Sequence, residues 1–256
     1  MTDFETILIE TDERGISRLT LNRPDKHNAL NARMIGELTK AAEILGADES
    51  VRAVVLAGAG ASFCAGGDLG WMQEQRDKDR AGKMEEARTL ATMLSRLNAL
   101  PKPLIARVHG NAYGGGIGLM AVCDIVISAE TARFALTETR LGLIPATIGP
   151  FVIRRIGEGY ARQVFFTAKP FDAAFALGCG LVSTVADAEQ LDACVEAEVS
   201  SVLKTRPGAV AAAKALCLEL GGDDPAGLAE RTASLLADRW ESAEAAEGIE
   251  AFLARR

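Results

Sequence analysis

Three short stretches of this sequence combine residue types that could do chemistry: two glycine-rich turns and one carboxylate in apolar company. The first is Ser62-Phe63-Cys64-Ala65-Gly66-Gly67-Asp68-Leu69, which follows an apolar run. Its small residues let a backbone bend sharply and come close to a ligand. Asp68 has the residue type of a helix N-cap. The second, Gly110-Asn111-Ala112-Tyr113-Gly114-Gly115-Gly116-Ile117-Gly118-Leu119, comes directly after the run ending at Val108 and opens an apolar helical segment. Free N–H groups at such a helix start attract negative charge. The third, Phe134-Ala135-Leu136-Thr137-Glu138-Thr139-Arg140-Leu141-Gly142-Leu143-Ile144-Pro145, holds Glu138 among mostly apolar neighbours. A buried glutamate there would have a raised pKa and could trade protons, whereas an exposed one would be an ordinary solvated carboxylate.

Other chemistries find less support. The glycines do not make a strict G-x-G-x-x-G, because Leu119 stands where the third glycine belongs, and the looser match of Gly116, Gly118 and Ala121 begins well past the strand end. No glycine-lysine-serine/threonine ending marks a P-loop. A serine hydrolase would need a G-x-S-x-G elbow, which is absent, and only His27 or His109 as base. Those two histidines lack metal-ligand spacing, so no metal is expected. Cys64, Cys123, Cys179, Cys194 and Cys217 are odd in number and scattered, which points to reduced thiols and away from a disulfide framework.

The elements that must position these groups can be read from periodicity. Thr6–Ile9, Ile16–Leu21, Val51–Leu56, Leu104–Val108 and Ile125–Ile127 read as strands. Helical patterns lie between them, over Ala32–Leu45 and along the stripe Leu90, Met93, Leu94 and Leu97. Beyond about Asp187 the pattern is only helical, with stretches near Ala188–Leu203, Pro207–Leu220, Leu228–Trp240 and Ala243–Ala254. An α/β core followed by a helical tail is the simplest organisation. Leu216, Leu220, Leu228 and Leu235 make that tail too apolar to stand alone, so it covers its own core or builds a subunit interface. The charged segment Gln73–Arg88 reads as a solvated helix face or a mobile lid.

Hydrophobic residues make up 48% and charged residues 25% of the 256, an ordinary globular balance with no apolar run long enough for a membrane span. The net charge of −7 argues against a nucleic-acid partner. The acidic start Met1-Thr2-Asp3-Phe4-Glu5 has neither a basic region nor an apolar stretch, so a cytoplasmic location is expected.

Taken together, the order and spacing of the three stretches resemble the crotonase, or enoyl-CoA hydratase, superfamily over nearly the whole chain. Leu21-Asn22-Arg23-Pro24-Asp25-Lys26-His27-Asn28-Ala29-Leu30-Asn31 is similar to that family's N-terminal signature. Glu247-Gly248-Ile249-Glu250-Ala251-Phe252-Leu253 is similar to its C-terminal helix motif. The resemblance implies an α/β fold, a crotonase-type spiral of ββα units over residues 1–195 and an all-helical oligomerisation region over 196–256, assembled as a homotrimer or hexamer. It implies that Gly67 and Gly115 donate backbone N–H groups to a thioester oxygen and that Glu138 is the catalytic glutamate. It places Ala65, Asp68, Leu69, Lys26, Gly114 and Trp71 on the substrate and its coenzyme A, with no cofactor beyond that coenzyme A.

One departure stands out. Hydratases of this family carry a second glutamate two residues after the triple-glycine run, and here that position is Gly118. The stretches Gly67-Asp68-Leu69-Gly70-Trp71-Met72-Gln73 and Thr137–Ala146 resemble bacterial methylglutaconyl-CoA and isohexenylglutaconyl-CoA hydratases, which also lack that glutamate. This likeness implies a branched, carboxylated enoyl-CoA, and Arg140 and Arg76 are candidates to face its distal carboxylate. Two alternatives stand beside hydration: a double-bond isomerase using the same groups, and a non-catalytic RNA-binding or scaffold relative.

Overall fold

In the computed structural model, residues 4–221 and 225–254 are described. Met1, Thr2 and Asp3, on which the no-leader expectation partly rests, lie outside them. The strands are β1 (Ile7–Thr11), β2 (Ile16–Leu21), β3 (Ala53–Gly58), β4 (Leu104–Val108), β5 (Ala112–Tyr113), β6 (Ile125–Ala129), β7 (Arg133–Ala135), β8 (Phe171–Asp172) and β9 (Thr184–Ala186). A six-stranded sheet has the order β1-β2-β3-β4-β6-β9, and β5, β7 and β8 form a small second sheet. Only the β1–β2 hairpin of the large sheet is antiparallel; the remaining neighbours run parallel. Parallel strands are covered on both faces, which is why β3 reads as a continuous apolar run, β4 is apolar but for Arg107, and both are almost wholly buried.

Helices cover both faces. On one side α1 (Ala32–Ala47) starts where the Asn31 side chain accepts from the Met34 N–H, and it buries Met34, Ile35, Leu38 and Leu45. It packs beside α3 (Arg80–Asn98), whose Met93, Leu94 and Leu97 enter the same core. The opposite face is closed by α7 (Leu191–Leu203), where Leu191, Val195 and Val199 meet Val55, Ile105 and Ile127. The remaining helices are α2 (Leu69–Asp77), α4 (Gly115–Ala121), α5 (Gly149–Thr167), α6 (Ala173–Gly178), α8 (Pro207–Leu220), α9 (Pro225–Trp240) and α10 (Ala243–Leu253).

Five strands stand where periodicity places them, to within a few residues. The others, β5, β7, β8 and β9, are two or three residues long and too short to show a period. The sequence reading also passes over α5, which contains three glycines and bends at Gly157, where φ is +74°. The charged segment forms α2 and the start of α3, and these are not free helices, since Gln75 and Ala87 are buried.

Of the two roles left open for the apolar tail, covering its own core is seen for α9 and α10. The first lies along α3, with Thr232, Ala233 and Ala237 buried. The second packs on a 3-10 turn, Glu138–Leu141, at backbone contact: a Cβ at Gly248 would lie 2.8 Å from the Leu141 carbonyl carbon. From the other side, a Cβ at Gly142 would lie 2.5 Å from the Ala245 nitrogen. Arg239 Nε donates to the Gly142 carbonyl at 2.9 Å, and Leu143, Ala245 and Ile249 form a small apolar cluster there. The tail therefore buttresses the turn that carries Glu138.

Candidate active site

The first glycine turn is held by its backbone. Leu30 N–H donates to the Gly66 carbonyl at 2.7 Å, and Asp68 N–H donates to the Leu30 carbonyl at 2.8 Å, so Gly67 is clamped on both sides. Gly66 reaches φ +90°, a region that side chains disfavour. Behind the turn, the buried Asn28 amide donates to the carbonyls of Ala59 and Ser62, at 2.8 and 2.9 Å. The N-terminal signature thus acts as the brace of this loop.

The second turn is tied to the first. Tyr113 N–H donates to the Cys64 carbonyl at 2.9 Å, and Gly114 N–H donates to the Ala135 carbonyl at 3.0 Å. Gly114 has φ +46° and ψ −114°, an arrangement open essentially to glycine alone. Its carbonyl accepts from Ile117 and Gly118 and so starts α4. Gly115 is the first residue of that helix, where a backbone N–H has no intrahelical partner. A Cβ at Gly115 would lie 2.7 Å from Leu30 Cδ1 and 3.9 Å from Gly66 Cα, so the two turns touch.

Gly67, Gly115 and Glu138 line one cavity of about 130 Å³. Glu138 Oε2 is buried there without a hydrogen-bond partner. Burial in this apolar setting pushes its carboxyl up from 4.5 to about 7, and its own backbone N–H only partly offsets that. Oε1 points toward the second turn, 3.2 Å from where a Cβ at Gly114 would stand. Glu138 as a whole residue is half-buried, but its carboxylate Oε2 is closed off from solvent, so the carboxylate takes the buried of the two surroundings considered in the sequence. The groups able to hold a negative oxygen and to move a proton line one cavity.

Asp68 caps α2 as its residue type predicts, accepting from Gly70 and Trp71, and it pairs with Arg23 at 2.9 Å. Burial works against its charge, but the Arg23 guanidinium and the two N–H groups hold its carboxyl below the usual value. Trp71 lines the cavity and donates through Nε1 to Glu86 at 3.1 Å. Lys26 is exposed, Ala65 is half-buried with its N–H on the His27 carbonyl, and neither these two nor Asp68, Leu69 and Gly114 line the cavity. Arg76 and Arg140, the candidates to face a distal carboxylate, do not line this cavity. Both are exposed outside the cavity, Arg76 because it is turned about 100° around α2 from the cavity-facing Gln75. His27 Nδ1 lies 3.1 Å from Ser62 Oγ, but this pair also lies outside the cavity.

Several lining residues escape the sequence reading: Gln75, Lys83, Glu86, Thr147, Ile148 and Trp240. For Gln75 a signal was present, since it follows Trp71 and Met72 by four and three positions and so shares their helix face. Ile148 explains Gly118. A Cβ at Gly118 would lie 2.6 Å from Ile148 Cγ2, so the place of a second carboxylate is filled by an isoleucine that itself lines the cavity.

Comparison with known proteins agrees with this geometry. The profile of the enoyl-CoA hydratase/isomerase family matches residues 11–256. The chain belongs to this family. An enoyl-CoA hydratase/isomerase family member from Alternaria alternata, Enoyl-CoA hydratase AFT6-1, is 36% identical over 205 residues, 80% of this chain and 67% of its own. Among solved structures, an enoyl-CoA hydratase from Shewanella pealeana is 34% identical with a TM-score of 0.83, covering 99% of this chain and 95% of that one. Pseudomonas aeruginosa AtuE is 40% identical with a TM-score of 0.82, covering 98% of each chain. The α/β spiral with its helical C-terminal region is therefore the fold of the enoyl-CoA hydratase/isomerase family. Among the described residues, no helix is long and apolar enough to cross a membrane.

Proposed function

We propose that this protein hydrates an α,β-unsaturated acyl-CoA with Glu138 as its single proton carrier. The observation that carries this reading is the buried, unpartnered Glu138 carboxylate in the same cavity as Gly67 and Gly115. In the proposed step, the Glu138 carboxylate takes a proton from water as the water oxygen bonds to the β-carbon. The double-bond electrons move onto the thioester, whose oxygen becomes an enolate held by the N–H groups of Gly67 and Gly115. Glu138 then returns the proton to the α-carbon. Preorganised donors of this kind each contribute roughly a hundred- to a thousandfold in rate. A carboxyl titrating at about 7 is suited to both halves of the transfer.

The substrate in this reading is a branched, carboxylated enoyl thioester such as 3-methylglutaconyl-CoA, supported by the resemblance of the stretches around Gly67 and Glu138. Coenzyme A belongs to the substrate and no separate cofactor takes part. A cytoplasmic homotrimer or hexamer completes the reading, and α8, which buries no residue and exposes Leu216 and Leu220, is the surface such an assembly would cover.

Double-bond isomerisation is the second reading, favoured by the apolar Ile148 at the place of the second carboxylate. A panel of enoyl-CoA thioesters followed by loss of conjugated-thioester absorbance, with products identified in deuterated water, separates the two. Hydration predicts a β-hydroxyacyl product and, for Glu138→Gln, a loss of roughly a thousandfold or more in kcat/KM. A shifted double bond without added oxygen would establish isomerisation, and full hydration by the variant would remove Glu138 from the mechanism.

A further inference from the structure

Among the described residues, the buried side-chain polar atoms left without a partner include both amide atoms of Gln75, Oε2 of Glu138 and Oγ1 of Thr147, and all three residues line the same cavity. Glu138 has a reaction to perform. Gln75 does not: it lies on α2, one turn beyond Trp71 and Met72, only 3% exposed. A buried carboxamide with neither its N–H groups nor its oxygen satisfied is costly, and an aliphatic acyl chain beside it would leave that cost in place. The chain's other cavity residues give no reason for an amide here, since Leu30, Met72, Leu90, Leu143 and Leu236 would pack equally well against leucine or methionine.

Two charged groups of opposite sign share the cavity wall with Gln75. Glu86 and Lys83, both on α3, line the cavity with it. Glu86 is already engaged, by an ion pair with Lys78 and by the Trp71 indole N–H. Lys83 makes no ion pair with any described residue, so its ammonium is the uncommitted charge among the α2 and α3 residues that line the cavity.

We infer that Gln75 and Lys83 together form the recognition point for a carboxylate at the far end of the acyl chain. The amide N–H donates to one carboxylate oxygen, the Lys83 ammonium faces the charge, and the Gln75 oxygen accepts from a bridging water. This rests on the hydratase reading and gives its substrate class a place on the cavity wall built by α2 and α3, which neither Arg76 nor Arg140 lines.

The test compares kcat/KM for hydration of two enoyl-CoA thioesters of similar length, one ending in a carboxylate and one in a methyl group. In the wild-type protein the carboxylated thioester is expected to be preferred. Gln75→Met and Lys83→Met are each expected to lower the carboxylated-to-methyl ratio by about tenfold or more, the methyl substrate gaining in the Gln75 variant because no stranded amide remains. Arg76→Met, outside the cavity, should leave the ratio unchanged. Lys83 is only half-buried, so its variant reports even where a change at Gln75 disturbs folding. An unchanged ratio in both cavity variants overturns the inference while leaving hydration intact. A wild-type preference for the methyl substrate overturns it together with the carboxylated substrate class, and turnover of neither thioester, nor of any other enoyl-CoA, points instead to failure of the hydratase reading itself.

Discussion

The cavity has two kinds of wall, and they differ in what fixes them. One is backbone: Gly66, Gly67, Gly114 and Gly115, clamped by hydrogen bonds to Leu30, Cys64 and Ala135 and shaped by positive φ at two glycines. The other is side chain: Trp71, Gln75, Lys83 and Glu86 from α2 and α3, with Leu236 and Trp240 from α9. The backbone wall presents groups that no substitution except proline can delete, only displace. The helical wall can be rewritten one residue at a time. In the proposed hydration, the backbone wall holds the thioester and the helical wall faces the acyl group.

The largest expected effect lies just behind the backbone wall, in α4, where the second carboxylate is missing. Gly118→Glu should not restore a two-carboxylate site; with Ile148 Cγ2 2.6 Å from the new Cβ, it overpacks the core and buries a charge. A loss of more than about 3 kcal/mol is expected, read by chemical denaturation or by failure to accumulate in soluble form. A folded variant with faster hydration would show that the position is open after all.

Next comes the contrast between the two donors. Gly115→Ala meets Leu30 Cδ1 at 2.7 Å and should displace its N–H, lowering kcat/KM by about a hundredfold. Gly67→Ala finds its nearest neighbour, Met72, at 3.5 Å, and should stay within about threefold of wild type. Equal damage from the two would break the account of how each turn is held.

A smaller effect concerns stability. Glu138 titrates at 4.5 when unperturbed and at about 7 when folded, so the unfolded chain gives up this proton first as pH rises. The group therefore lowers stability progressively between those two values and by a constant amount above them. Glu138→Gln removes that penalty: it should stabilise the fold by on the order of 2 kcal/mol at about pH 8 and by nearly nothing at about pH 4, read by denaturant melts at both. An equal effect at the two values would mean that Glu138 is not held in an apolar site.

The same division governs what could be read from sequence. The backbone wall was legible because glycine leaves a chemical mark: Gly66, Gly67, Gly114 and Gly115 are small where the chain must turn and approach a ligand, and Glu138 stands out in an apolar stretch. The family resemblance then gave these positions their expected roles. The helical wall was not legible, because Gln75 and Lys83 lie in a charged run whose composition is that of a solvated helix. Only the seating of α9 on α3 and of α10 on the Glu138 turn encloses that run. Gly142 and Gly248 were visible as residues, but their purpose, letting two backbones touch, depends on a partner about a hundred residues away. Arg76 and Arg140 show the opposite case, since a suitable charge near a motif does not give the direction it faces, and both are exposed outside this cavity.

The pH dependence of kcat/KM for hydration is the most direct test of Glu138 as the single proton carrier. With its carboxylate form taking the first proton, log kcat/KM should rise with unit slope and level off through one inflection near the Glu138 value of about 7. A flat profile from about pH 5 to about pH 9, or an inflection that persists in Glu138→Gln, would contradict it.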